Sequence, residues 1–146
     1  MRRSDHARAI RGSLLILLGV VLGLASYGTW AVRTYDFGLR QDVTGIDAGG
    51  QVSIVIAVIL LGAGLGYAFG VGFARTVALV GGSMAFIYTI VRAAQLGAED
   101  FPFGHTTEVE GALWIGITAS ALTILVALAR ARSSPPMRSV KAEPDG

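Results

Sequence analysis

Residues 52–73, with the sequence VSIVIAVILLGAGLGYAFGVGF, decide the fold class of this chain. The stretch holds 22 residues without a charged side chain, and twelve of them are Val, Ile, Leu or Phe. At about 1.5 Å per residue, a helix of this length reaches about 33 Å, which is enough to cross a hydrocarbon core of about 30 Å. The stretch therefore predicts a membrane-spanning helix.

Three further stretches have the same character. Residues 14–32 and 111–129 each contain 19 residues without a charge, and a shorter apolar run lies between Arg75 and Arg92. We expect this third span to cover residues 75–96, with the Arg92 guanidinium reaching the membrane interface. The sequence therefore predicts an all-α fold, an integral membrane four-helix bundle whose neighbouring helices run antiparallel.

The parts outside the spans predict the domain organisation. Residues 1–13 form a basic arm, residues 14–129 the four-span membrane domain, and residues 130–146 a polar tail without periodicity that is expected to be disordered. A second interpretation of the first span is a cleaved signal peptide, because Arg2 and Arg3 precede an apolar run with Gly23 and Ala25. The apolar run continues to Val32, which favours a retained span.

The distribution of charge predicts the orientation. Nine of the twelve Lys and Arg residues lie in the N-terminal arm, the connection between the second and third spans, and the C-terminal tail. The other two loops hold seven of the ten acids. Because basic residues accumulate on the cytoplasmic side, both termini are expected to be cytoplasmic. The sequence pI of about 9.4 then reflects contact with anionic lipid, and no nucleic-acid partner is expected.

Small residues spaced four apart predict where the helices pack. Such spacing lets backbones approach closely in a membrane. The rows are Gly62, Gly66 and Gly70; Gly64, Ala68 and Gly72; Gly19 with Gly23; and single positions at Gly82 and Gly116. Two interpretations stay open for these rows: packing inside the bundle, or an interface with another subunit.

The residue types within the spans exclude several kinds of chemistry. The chain has no cysteine, and its two histidines, His6 and His105, lie outside the spans. Thiol–disulfide exchange and a bis-histidine haem between helices are therefore excluded. No carboxylate lies at membrane depth, as proton-coupled small multidrug exporters require. Because phosphate-binding and nucleophile motifs are also missing, we expect no enzymatic activity, no catalytic residue and no cofactor.

The polar residues of the two remaining loops leave two hypotheses. Arg92 pairs with Glu110 or Asp36 and pins the third helix, or it simply reaches lipid phosphate. The acids of the loops, together with His105, either hold a divalent cation or stay solvated. These residues are Glu99, Asp100, His105, Glu108 and Glu110, with Asp36, Asp42 and Asp47 from the first loop. They lack metal-ligand spacing, so no metal site is predicted.

A weak internal repeat relates the two halves of the chain. At an offset of 59 residues, Val32-Arg33 and Gly38 match Val91-Arg92 and Gly97, which gives V-R-x(4)-G twice. A duplicated two-helix hairpin explains the matches, since repeats occur in transport proteins. Chance agreement is the favoured explanation, because apolar segments of similar composition produce such matches.

The sequence TGIDAGG at residues 44–50, placed just before a glycine-rich apolar helix, carries a resemblance. It resembles small four-helix membrane proteins of high-GC bacteria, among them the tryptophan-operon-associated membrane protein family, whose function is unknown. The ratio of eleven Arg to one Lys is similar to that of high-GC genomes. The resemblance implies a multi-pass protein of the bacterial plasma membrane and implies no site.

These observations predict a non-enzymatic membrane protein. We expect it to act as an accessory or assembly subunit that binds a larger membrane partner through its glycine rows and acidic loops. The alternative is a small transporter or channel that becomes complete only as an oligomer. Its partners are then the lipid bilayer and either a second membrane protein or other copies of the same chain.

Overall fold

The computed structural model describes residues 3–98 and 105–129, and this part of the chain is mostly helical. The elements in chain order are α1 (Arg3–Ala25), β1 (Thr29–Tyr35), β2 (Arg40–Thr44), α2 (Gln51–Ala68), α3 (Ala74–Gly97), β3 (His105–Val109) and α4 (Gly111–Leu128). Within the described residues, four helices are long and apolar enough to cross a membrane. The predicted tail, residues 130–146, and the acids Glu99 and Asp100 lie outside the described residues.

Two of the four helices begin and end close to their predicted bounds. α3 differs from the predicted range 75–96 by one residue at each end, and α4 differs from 111–129 by one residue at its C-terminal end. α2 ends at Ala68, five residues before the predicted end, because Gly70 takes a φ of +79°. A positive φ suits glycine and interrupts a helix, so the chain turns back at this point.

The first span is shifted towards the N-terminus from the predicted range 14–32. α1 is one continuous helix from Arg3, and its membrane-compatible part covers Asp5–Ala25. Arg3, Arg8 and Arg11 of the predicted arm therefore belong to the helix. Beyond Ala25 the chain turns through Ser26 and Gly28 and enters β1. The predicted bounds were wrong because hydropathy shows only that a stretch is apolar. A buried strand can be as apolar as a membrane helix.

A three-stranded antiparallel sheet lies at one end of the helices and corrects the prediction of an all-α fold. The strand order is β2-β1-β3. β1 and β2 form a hairpin around Gly38, whose φ is +84°. In the register of the central strand, Arg33 lies opposite Gln41 of β2 and Thr107 of β3. The two predicted loops thus meet in one sheet.

The sheet could not be inferred from hydropathy because its strands come from distant segments. β3 follows α3, about 70 residues after β1, and the two pair directly. Its sequence HTTEV has little apolar content, while Thr and Val are common in strands. Pairing with β1 satisfies the backbone hydrogen bonds of both segments, and each strand alone leaves them open.

Contacts between the helices show how each one runs beside its neighbours. A Cβ on Gly12 of α1 would lie 2.7 Å from the Cβ of Ala68, and one on Gly19 would lie 3.2 Å from the carbonyl oxygen of Ala57. These two pairs place the start of α1 beside the end of α2. On α3, Arg75 donates to the carbonyl oxygen of Ala127 near the end of α4. α1 and α4 also contact each other.

The two ends of the set of helices differ in structure. The end that carries the strands is called the sheet side. The opposite end, with the connection between α2 and α3 at residues 69–73, is called the turn side. The start of α1 and the end of α4 lie on the turn side, as the contacts of Gly12 and Arg75 show.

Buried residues form a core that joins the sheet to the helices. Trp30 is 1% exposed, and its Nε1 donates to the carbonyl oxygen of Ala25 at 2.8 Å. It packs with Ala31 and Val43 of the sheet against Leu96 and Leu113 of the helices. Trp30 is therefore a core residue. Trp114, the second tryptophan of the chain, is 57% exposed.

Candidate functional site

The central strand positions the first charged residue of the candidate site. Side chains two apart in a strand lie on the same face, so Ala31 and Arg33 point to the same side of β1. Ala31 is fully buried against Leu96 and Leu113. Arg33 extends from the edge of that core and is partly buried. Its guanidinium therefore lies beneath the sheet, beside the last turns of α3.

Arg92 of α3 approaches the same place from below. Its Nε donates to Tyr88 Oη at 3.2 Å, and its Nη1 donates to Gln95 Oε1 at 3.0 Å. The guanidinium also lies 5.7 Å from the centre of the Tyr88 ring. Tyr88 Oη in turn donates to the carbonyl oxygen of Gly49 at 2.5 Å. This chain of contacts fixes Arg92 against the turn that precedes α2.

Glycine at position 49 makes this approach possible. Gly49 has a φ of +88°, which L side chains rarely adopt. A Cβ there would collide with Nη2 of Arg92 and would lie 2.8 Å from Tyr88 Oη. The glycine in the TGIDAGG segment thus serves two needs, a backbone turn and space for the guanidinium.

Together these elements enclose a polar cleft of about 230 Å³ on the sheet side. Its lining residues are Arg33, Gln41, Asp42, Val43, Asp47, Ala48, Arg92 and Leu96. Two guanidiniums and two carboxylates face one space, and Asp47 is oriented by a bond of 2.6 Å from Thr44 Oγ1 to its Oδ2. Such a mixed set can form charge-assisted hydrogen bonds with a polar partner that carries both signs.

Asp36 and Glu110, the predicted partners of Arg92, are not among the residues that line the cleft. Asp36 lies exposed in the turn between β1 and β2. Glu110 precedes α4, and its backbone N–H donates to the carbonyl oxygen of Trp30 at 2.9 Å. Arg92 has Tyr88 and Gln95 as its hydrogen-bond partners. The acids that share the cleft with Arg92 are Asp42 and Asp47, which the sequence analysis named only among the loop acids of the cation hypothesis.

A signal for this arrangement was present in the sequence. The segments around Thr29–Tyr35 and Arg40–Thr44 flank a short turn with Asp36 and Gly38, a pattern typical of a hairpin. Once these segments pair, Asp42 lies next to the central strand, whereas Asp36 is carried to the far end. The hairpin therefore decides which carboxylate lies near Arg92.

Six of the predicted packing residues lie at contacts between helices. A Cβ on Gly64 would lie 2.7 Å from Ile16 Cγ1, and one on Gly82 would lie 3.0 Å from Thr123 Cγ2. The six are Gly19, Gly23, Gly64 and Ala68 between α1 and α2, Gly82 between α3 and α4, and Gly116 facing Thr89 and Leu22. Gly12, which the sequence reasoning missed, belongs to the same contact between α1 and α2.

The remaining members of the rows have other roles. A Cβ on Gly62 or Gly72 would have no neighbour within 4 Å among the described residues. Gly70 supplies the positive φ of the turn, and a Cβ on Gly66 would lie 3.2 Å from the Cβ of Ala74 beside that turn. The second row of α2 is thus internal packing at Gly64 and Ala68, whereas Gly62 leaves an open place on the surface of α2.

The acidic residues do not converge into a metal centre in the described part of the chain. Within residues 3–98 and 105–129, no three side chains of His, Asp or Glu come together as metal ligands. Glu99 and Asp100, which the cation hypothesis includes, lie outside this part. Glu108 lies in β3 opposite Val32 of the central strand.

The repeated V-R-x(4)-G sequence adopts two different conformations. Val32-Arg33 lies in the central strand, whereas Val91-Arg92 lies in α3. Gly38 forms the hairpin turn, and Gly97 ends a helix. The matched residues therefore do not occupy equivalent places in the two halves.

Comparison with known proteins gives one partial relative. The chain is 42% identical over 66 residues to the uncharacterised MFS-type transporter YtbD of Bacillus subtilis (strain 168). The aligned segment covers 45% of this chain and 15% of the transporter, so the chain spans only a small part of that relative. No family model and no solved structure matches. The four candidate spans and this partial match fit a multi-pass membrane protein.

Proposed function

We propose that the chain is a four-helix antiparallel bundle of the plasma membrane, with the turn side in the cytoplasm and the sheet side outside. Two observations support this orientation. In the sequence, residues 1–13, 69–75 and 130–146 carry nine basic residues and three acids, whereas residues 33–51 and 92–110 carry three basic residues and seven acids. The contacts of Arg75 and Gly12 bring the start of α1, the turn and the end of α4 to one end.

We propose further that the protein is a non-enzymatic accessory or assembly subunit of a larger membrane complex. The observation that carries this proposal is the polar cleft, in which Arg33, Arg92, Asp42 and Asp47 share one space at the sheet-side ends of the helices. Residues 12–25 of α1, all of α2 and α4, and residues 76–91 of α3 carry no Asp, Glu, Lys, Arg or His. The charged residues of the cleft thus lie where they can bind a partner at the membrane surface. A proton relay would require ionisable residues at membrane depth.

A second feature supports contact with a partner inside the membrane. Gly62 lies in the apolar part of α2 with open space beside it. Val58 and Leu65, its neighbours along the helix, are 62% and 52% exposed. A glycine facing lipid exposes its backbone, and a partner helix can approach such a place more closely than it can approach Leu or Val.

The test is the mass of the complex after gentle extraction from native membranes, with the co-purifying chains identified. We expect a defined heteromeric complex. Gly62→Leu should release the partner without lowering the thermal stability of the chain itself, because the added side chain enters open space. Val58→Leu is the matched control, since it keeps an exposed aliphatic side chain on the same helix. A wild-type chain that extracts as a monomer would contradict the proposal.

The alternative, a small oligomeric transporter or channel, is favoured by one observation. The relative that shares 42% identity over 66 residues is described as a transporter. In this case the complex should contain copies of this chain only. Purified homo-oligomers in liposomes should then move solute without any added protein, and empty liposomes serve as the control. Solute flux that depends on a second chain would favour the accessory role instead.

A further inference from the structure

Three arginines meet in one cavity on the turn side. Arg8 and Arg11 are three residues apart on α1 and so lie on one face of the helix. Arg75 lies in the first turn of α3. The cavity that they share has a volume of about 290 Å³. Its other lining residues are Ala7, Tyr67, Gly70, Val71 and Gly72.

Each guanidinium is held in place by at least one protein contact. Arg75 Nε donates to the carbonyl oxygen of Ala127 at 2.8 Å, and Arg11 Nη1 donates to Tyr67 Oη at 3.4 Å. Arg8 Nη2 donates to Asp5 Oδ1 at 3.0 Å. A guanidinium has five N–H donors, so each arginine keeps donors beyond those that these bonds use.

The turn between α2 and α3 leaves room for this arrangement. Nη1 of Arg8 lies 2.9 Å from the place where a Cβ on Gly70 would be. A Cβ on Gly72 would have no neighbour within 4 Å among the described residues. The wall of the cavity formed by the turn is therefore largely backbone, which allows a ligand to approach the guanidiniums.

The charge in the cavity is unbalanced. Three arginines contribute +3, and Asp5, which pairs with Arg8, contributes −1, so the local formal charge is +2. Like charges held close together destabilise one another, and a bound anion relieves this repulsion. Arginine binds phosphate through parallel N–H bonds, so phosphate matches both the charge and the geometry of its donors.

Two aromatic side chains indicate the depth of the cavity in a membrane. Phe69 and Phe73 flank the turn and are 85% and 70% exposed. Entry into an apolar phase would remove both rings from water, so we expect them to lie in the lipid next to the headgroups. The cavity between them and α1 then lies at the level of the phosphates.

We propose that this cavity binds a phosphate group, and that the source of the phosphate is an anionic phospholipid headgroup. The position at the ends of the helices and the exposed rings favour a lipid over a soluble anion. The site stands whether the protein is an accessory subunit or a transporter, because both place the turn side at a membrane surface. Basic pockets between spanning helices are suited to such headgroups.

The experiment measures lipids bound to the full-length protein in detergent by native mass spectrometry. The probes are phosphatidylglycerol, phosphatidylcholine and inorganic phosphate, each titrated separately. We expect phosphatidylglycerol to bind more tightly than phosphatidylcholine. The double variant Arg8→Gln, Arg11→Gln should weaken phosphatidylglycerol binding about 30-fold, if each arginine contributes about 1 kcal/mol. Arg40→Gln, a charge change on the sheet side, should leave binding unchanged.

A second variant keeps the test independent of folding. Gly72→Glu adds a carboxylate at the rim of the cavity, where the structure has space, and should weaken binding of the anionic lipid. Gly72→Gln, a neutral side chain of similar size, is its control. Equal binding of phosphatidylglycerol by wild type, Gly72→Glu and the double arginine variant would overturn the site. Binding of inorganic phosphate without any preference for the anionic lipid would overturn the lipid source.

Discussion

Gly45 occupies a place in the core where a methyl group has no room. A Cβ there would collide with the carbonyl oxygen of Ser26 and would lie 2.5 Å from Trp30 Nε1. Trp30 cannot move easily, because its Nε1 donates a hydrogen bond to the carbonyl oxygen of Ala25. We therefore expect Gly45→Ala to lower the free energy of unfolding by about 3 kcal/mol, the upper end of typical overpacking effects.

The emission of Trp30 during unfolding in detergent measures this effect, with Trp114→Phe as the background so that a single tryptophan reports. Gly97→Ala is the control, since a Cβ on Gly97 has no neighbour within 4 Å among the described residues. If Gly45→Ala unfolds at the same denaturant concentration as this control, the packing of the sheet against Trp30 is not as described.

Tyr88 connects α3 to the turn before α2 through its hydroxyl group. The hydroxyl donates to Gly49 and accepts from Arg92. Tyr88→Phe leaves both partners without this bond and should lower the free energy of unfolding by about 1–2 kcal/mol. Tyr27→Phe is the matched control, because the Tyr27 side chain is 62% exposed. Hydrogen exchange in residues 45–51 should become faster in Tyr88→Phe only, and unchanged exchange there would contradict the role of the hydroxyl.

At the scale of single residues, Arg92 shows which neighbours a sequence can indicate. Arg92 lies near the end of α3, and its hydrogen-bond partners are Tyr88 and Gln95, which lie on the same helix within about one turn of it. The expected pairing with Glu110 or Asp36 stays a prediction. A residue four positions away on a helix is a certain neighbour, whereas a loop carboxylate becomes one only after the loop has folded.

At the scale of elements, the contact between α1 and α2 depends on glycine at position 64. A Cβ at this position would lie 2.7 Å from Ile16 Cγ1 and 2.9 Å from the carbonyl oxygen of Gly12. Gly64→Ala should therefore separate the two helices and lower the free energy of unfolding by about 1–3 kcal/mol. Gly62→Ala, two residues away on the open side, should be neutral or slightly stabilising, because alanine favours the helix.

Thermal unfolding of both variants in the same detergent measures this difference. The comparison removes the effect of helix propensity, since both substitutions replace glycine by alanine within α2. Equal melting temperatures would show that Gly64 does not lie at a close contact between helices.

Also at the scale of elements, strand β1 was predicted as the end of the first spanning helix. Residues 26–32 are uncharged and continue the apolar run of α1, so hydropathy alone assigned them to the first span. Thr29, Trp30 and Val32 belong to the residue types that strands favour. They form β1 because β2 and β3 are available to pair with it, and that availability depends on segments up to 80 residues away.

At the scale of the whole molecule, the proposed orientation can be tested with single cysteines. The chain has no cysteine of its own, so each introduced thiol is unique. Asp36→Cys, in the hairpin turn, should react with a membrane-impermeant maleimide added to intact cells. His6→Cys, exposed near the start of α1, should react only after the membrane is permeabilised. The reverse pattern would overturn the orientation, and the labelling of both residues in intact cells would contradict a cytoplasmic N-terminus.

The sequence by itself indicated that the helices of this protein lie in a lipid bilayer. Four long apolar stretches, with the charges gathered between them, predict spanning helices because a buried charge in lipid is costly wherever it lies along the chain. The small residues of α1 and α2 likewise indicated close packing. The tertiary structure alone decided that two loops form one sheet, that Trp30 belongs to the core, and that Arg33 and Arg92 share a cleft. These features depend on pairing between distant segments, and the hydropathy of a local stretch contains no information about which distant segment will satisfy its hydrogen bonds.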